Sequence, residues 1–262
     1  MNDYLFLESL GLHTWGFWLV LLLISGAVGL CLLLGFRFLF RRRGEPRSFF
    51  FLSLLLLAFG FTQIYQVWRL LDLFSFFPKM RYVPIYFSLA LPVLFFYYVK
   101  VELFPAYRLR WTDAKHFLLP GGQFFYFLTQ WIFEARMVIS ERLLPFNPFF
   151  GSVETALYLV LFAAYLFFSL RYIVQKKRIG ADIRKQRQVL YLEILVQLFS
   201  GLFLLHSLFI LFDYYTYRFV QYNVQSEKLY VGFGVLTFTS LLGCLAIYGV
   251  QLLGWGRRRI YP

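Results

Sequence analysis

Charge is scarce in this chain, and acid is scarcest: Asp and Glu number 13 against 26 Lys and Arg in 262 residues, and charged side chains make up only 15%. A soluble domain carries about 25%, so water is not the main solvent of this protein. Cysteine is nearly absent. Cys31 and Cys244 both fall inside apolar stretches, which implies no disulfide framework and reads each thiol as a small core residue. The three histidines, His13, His116 and His206, are dispersed along the chain and supply no ligand set for haem or metal. No H-E-x-x-H, G-x-S-x-G, Walker A or G-x-G-x-x-G occurs, and no nucleophile has a base at matching depth. Lys228, at the mouth of the last apolar run, is too shallow for a retinal Schiff base. These absences predict no catalytic residue, no metal and no cofactor.

What fills the chain instead is apolar. Hydrophobic residues reach 60% and mean hydropathy is +0.65. Seven apolar runs can be drawn, at about 15–40, 49–71, 83–101, 115–133, 151–172, 188–212 and 229–255, each near the roughly 20 residues that a membrane-spanning helix needs. They use up the length. The expectation is a single all-α domain over 1–262, a polytopic bundle of seven transmembrane helices. Asp3 and Glu8 precede the first run and its first arginine is Arg37, the reverse of a secretory signal peptide, so that run is expected to be retained.

Orientation follows from the loops. Nineteen of the 26 basic residues fall in the alternate segments 37–47, 100–115, 171–187 and 257–259, and seven fall on the opposite side. Cytoplasmic loops retain positive charge, which predicts an N-terminus outside, a C-terminus in the cytoplasm and a bacterial inner-membrane location. It also accounts for the net charge of +13 without nucleic acid, the lipid bilayer being the partner. Trp15, Trp18, Tyr82, Tyr86, Trp111, Trp131, Tyr172 and Trp255 are placed at span ends as an interfacial belt.

Polar residues inside apolar spans are costly and face a cavity or a partner. The second span carries Gln63, Gln66 and Arg69, with Gln66 and Arg69 three apart on one helix face. The sixth carries His206 and Asp213, seven apart and so again on one face, roughly 10 Å from each other along the axis. The fourth ends at Gln130 and Glu134. Even-numbered spans run outward, so all of these groups collect in the outer leaflet. Two readings fit. One is a small ligand pocket of Gln63, Gln66, Arg69, His206 and Asp213, with Arg69 gripping an anionic group; in the other, Arg69 snorkels or pairs with Asp72 or Asp213 while the rest cross-link helices.

On the inner side, QKKRIGADIRKQR at 175–187 reads as the longest and most basic loop. Lys176, Lys177, Arg178, Arg184, Lys185 and Arg187 are candidates for contact with anionic lipid or a cytoplasmic partner. Glu193 is expected to meet these basic neighbours. Pro92 is expected to kink the third span, and Gly26, Gly29, Ala163, Ala164, Gly201 and Gly243 to allow close helix approach.

Three segments carry a resemblance: LPVLFFYYVKVELFP, then YRLRWTDAKHF at 107–117, and finally AIYGVQLLGWGRRRIYP. Together they are similar to the seven-helix sensor region of bacterial membrane-bound AraC-type transcription regulators and histidine kinases. The matching positions are Pro92, Tyr98–Lys100, Pro105, Asp113, His116 and Phe117, and loosely 247–262. Those relatives place a proline closer to the H-F pair than Pro120 stands here. They also continue into an output domain, whereas this sequence ends at Pro262. The resemblance implies a signal-receiving module. The leading expectation is thus a non-enzymatic membrane sensor or accessory signalling module, perceiving a small or lipidic signal from outside and acting through its basic face on a signalling protein. The alternative is a small-solute transporter or permease.

Overall fold

The computed structural model describes residues 14–40, 46–71, 73–134, 148–178, 183–222 and 228–258. It is all-helical, with no strand among the described residues. Seven long helices follow one another: α1 Thr14–Leu39, α2 Pro46–Leu70, α3 Ala90–Leu103, α4 Leu118–Glu134, α5 Pro148–Arg178, α6 Ile183–Tyr215 and α7 Lys228–Arg258. Five of them (α1, α2, α5, α6 and α7) are long and apolar enough to cross a membrane, as in a multi-pass membrane protein.

The other two are shorter than their apolar runs. α3 has 14 residues, about 21 Å at 1.5 Å per residue, against a hydrocarbon core of about 30 Å. It begins at Ala90, not at Val83, because residues 83–89 form turns and irregular backbone. Pro92 therefore sits in the first turn of α3, where its missing N–H has no intrahelical acceptor in any case. The expected kink is replaced by a helix start. Eleven of the fourteen α3 residues are buried, and the three others are Ala90, Lys100 and Glu102.

α3 is the axis of the bundle, and aromatic rings attach its neighbours to it. Tyr97 stacks on Phe51 of α2 at 5.6 Å between centroids, Phe96 meets Tyr165 of α5 at 5.2 Å, and Tyr98 Oη donates to Tyr248 Oη of α7 at 2.9 Å. Phe95 stacks on Phe199 of α6 at 4.5 Å, and the stack continues through Phe162 of α5 to Phe203. Offset ring pairs add about 0.5–1.5 kcal/mol each beyond area burial. In lipid, where apolar burial drives little, such packing matters more.

α1 lies against α2 and α7. A Cβ on Gly35 would come within 2.8 Å of the Leu57 side chain, and one on Gly60 within 2.8 Å of Leu32. These are the glycines that permit close approach; Gly26, Gly29, Gly201 and Gly243 have nothing within 4 Å of an added Cβ. Ser53 Oγ donates to the Gly35 carbonyl at 2.6 Å, fixing the same crossing. Cys31 is fully buried and its thiol faces the Leu242 carbonyl at 3.6 Å, a core role as expected. Trp18, Trp111 and Trp131 are exposed, but Tyr82 is buried rather than interfacial.

α5 and α6 outrun their apolar segments. The basic stretch expected as a loop is mostly helix, since α5 continues to Arg178 and α6 starts at Ile183. Lys, Arg and Gln are good helix formers and continue a helix readily into water.

Candidate functional site

The irregular segment 83–89 creates the site. Two of its backbone donors are satisfied by side chains, Phe87 N donating to Thr62 Oγ1 of α2 at 3.0 Å and Leu89 N to Gln123 Oε1 of α4 at 3.1 Å. Buried non-helical backbone survives only where protein or a cavity takes up its polar groups. Here both occur. Tyr86 and Ser88 from this segment line a cavity of about 220 Å³, closed by the end of α2, the start of α5, the end of α6 and the start of α7.

Four of the five residues read from the sequence as a pocket line this cavity: Gln66, Arg69, His206 and Asp213. The fifth, Gln63, is not among the lining residues. It lies about one turn deeper, fully buried, and its Nε2 donates to Thr239 Oγ1 of α7 at 2.8 Å. His206 Nδ1 lies 3.0 Å from Thr237 Oγ1, and the Thr237 hydroxyl donates to the Gly234 carbonyl at 2.8 Å. The single Thr237 proton is thereby committed, so His206 donates from Nδ1 and keeps Nε2 as an acceptor.

The sequence reading missed Glu154. It lies in the second turn of α5 and lines the same cavity. Ser88 Oγ donates to its Oε1 at 3.0 Å, and Gln123 Nε2 donates both to that oxygen and, at 2.8 Å, to Ser88 Oγ. Thus α4 bears on the cavity through Gln123, which holds the lining residues Ser88 and Glu154 from behind, and neither Gln130 nor Glu134 lines it. Asp72, offered above as a partner of Arg69, lies outside the described residues. Among the described residues no three His, Cys, Asp or Glu side chains gather as a metal site.

At the other end of α3 four of the positions that carry the resemblance, Lys100, Asp113, His116 and Phe117, take part in one cluster. Asp113 is the hub, accepting from Tyr97 Oη at 2.9 Å, Tyr107 Oη at 2.6 Å and the Arg110 amide at 2.7 Å, with Lys100 Nζ at 3.8 Å. Burial opposes the charged form of Asp113, but the Arg110 amide, the two hydroxyls and Lys100 outweigh it and hold the carboxyl below the usual carboxylate range. Burial and then the bond to Asp113 push the Tyr107 hydroxyl up to about 12. Lys100 lies 3.9 Å from the centroid of the Tyr107 ring. His116 Nδ1 meets Tyr165 Oη at 2.6 Å, and Phe117 stacks on Tyr97 at 5.4 Å. These residues lock the turn before α4 onto the axis helix.

Of the six basic candidates, Lys177 pairs with Glu193, as expected for that acid, and Lys176 lies over the Phe104 ring at 4.9 Å. Arg178 ends α5, and Arg184, Lys185 and Arg187 lie in the first turns of α6. No known protein family, curated protein or solved structure matches this chain.

Proposed function

We propose that this protein is a non-enzymatic sensor or accessory signalling module of the bacterial inner membrane. In this reading seven helices span the bilayer with the N-terminus outside, and a small or lipidic signal enters the cavity from the outer side. The output is the basic cytoplasmic face at the α5–α6 junction, which meets anionic lipid and a signalling protein. The observation that carries the reading is the placement of polar groups at opposite ends of the same two helices. Glu154 and Lys177 stand 23 residues apart on one continuous helix, about 35 Å at 1.5 Å per residue, which exceeds the hydrocarbon thickness of about 30 Å. The cavity end and the basic end thus fit opposite surfaces, joined by unbroken helix. The pairing of two resemblance positions, Lys100 and Asp113, supports kinship with the sensor regions described above.

A second reading, small-solute transport, is favoured by one observation, the interrupted third segment whose irregular backbone lines the cavity, as in carriers with broken helices. The two part in proteoliposomes. Counterflow of a solute by the purified protein alone would contradict sensing. The direct test of the sensor reading is a solute screen by thermal shift on wild type, Arg69→Ala and His206→Ala. A solute that stabilises wild type and fails on both variants supports the pocket; variants that only lose expression, with no solute acting on wild type, support helix cross-linking.

A further inference from the structure

The lining of the cavity is rich in acceptors and poor in cations. Glu154 and Asp213 supply two carboxylates against the one guanidinium of Arg69, and His206 presents an acceptor at Nε2. The Glu154 carboxyl is not loose, because Ser88 and Gln123 hold one of its oxygens in place. Tyr158 gives a separate indication. Only 5% exposed, it lines the cavity, and its hydroxyl has no hydrogen-bond partner among the described residues. A buried hydroxyl without a partner is costly, and a donor-bearing ligand satisfies it. Aromatic rings complete the wall, with Phe238 and Tyr158 both lining the cavity at 5.7 and 6.1 Å from His206 between centroids.

We propose that this cavity takes a small molecule bearing a protonated amine, the ammonium lying toward Glu154 and the aromatic rings. The inference rests on the reading of the cavity as a ligand site and specifies what enters it. Ammonium recognition combines a carboxylate with aromatic faces, and both are built here. A carboxyl group beside aromatic rings fits an amine better than a simple anion.

The test uses the full chain in lipid nanodiscs and three probes of one skeleton: phenethylamine, L-phenylalanine and 3-phenylpropanoate. Calorimetric titration is expected to show saturable millimolar or tighter binding of phenethylamine or L-phenylalanine, and weaker binding of 3-phenylpropanoate by roughly tenfold or more. Glu154→Gln is expected to weaken the amine by a similar factor. Tyr158→Phe, which removes only an unpartnered oxygen, is expected to fold as wild type and to weaken the amine a few-fold, keeping the test valid should Glu154→Gln not fold. Preferential binding of 3-phenylpropanoate, or an amine affinity that neither substitution changes, would overturn the amine assignment while leaving the cavity a ligand site. Binding of none of the three would overturn both.

Discussion

Tyr97 Oη donates to Asp113 Oδ1 across 2.9 Å, and this bond ties the buried axis helix to the turn that launches α4. Asp113 accepts three hydrogen bonds in all, which the charged carboxylate serves best. Its depressed folded value means that the stability it contributes is present above its unfolded value of about 4 and is lost as pH falls through the folded value. Asp113→Asn turns an acceptor into a donor among donors, leaving buried groups unpaired at about 1–3 kcal/mol. Thermal unfolding in detergent should show Asp113→Asn less stable than wild type at neutral pH, with the gap closing in acid. A constant gap from neutral pH to below the carboxylate range would contradict the role of its charge.

Phe199 stands between Phe95 and Phe162 in one aromatic stack joining α3, α5 and α6. Phe→Ala in a soluble core costs about 3–5 kcal/mol. In lipid the transfer component shrinks, because acyl chains replace apolar neighbours in the unfolded reference, so a loss near about 3 kcal/mol is expected for Phe199→Ala. Reversible unfolding in bicelles measures it.

Glycines separate cleanly at the α1–α2 crossing. Gly35→Ala should destabilise by about 1–3 kcal/mol through overpacking against Leu57. Gly26→Ala, with open space around it, should fall within about 0.5 kcal/mol of wild type. Equal effects at the two positions, read from the same unfolding curves, would sink the assignment of this crossing.

Much of the site was legible because helical spacing is arithmetic. Gln66 with Arg69, and His206 with Asp213, share faces by their separations, and both pairs line the cavity. Glu154 was not legible. A lone acid near the start of a helix looks like an ordinary surface residue, and its partners Ser88 and Gln123 lie 66 and 31 residues away in sequence. Hydropathy also misplaced the start of the third helix, since the apolar residues of 83–89 are half-buried or buried without being helical. It misread the basic stretch for the opposite reason: Lys and Arg lower hydropathy but keep a helix going. Among glycines, composition alone could not tell Gly35, facing Leu57, from Gly26, facing outward.

The claim at the centre of this account is that the cavity opens to the outer surface. Thr155 lines it, while Cys31 is buried and Cys244 half-buried among apolar neighbours, so wild type gives a low background to thiol reagents that need hydrated thiolate. A Thr155→Cys variant in intact cells, treated with a membrane-impermeant maleimide, should be labelled from outside without permeabilisation. Labelling that appears only after the membrane is opened, or only from the cytoplasmic side of inverted vesicles, would contradict it.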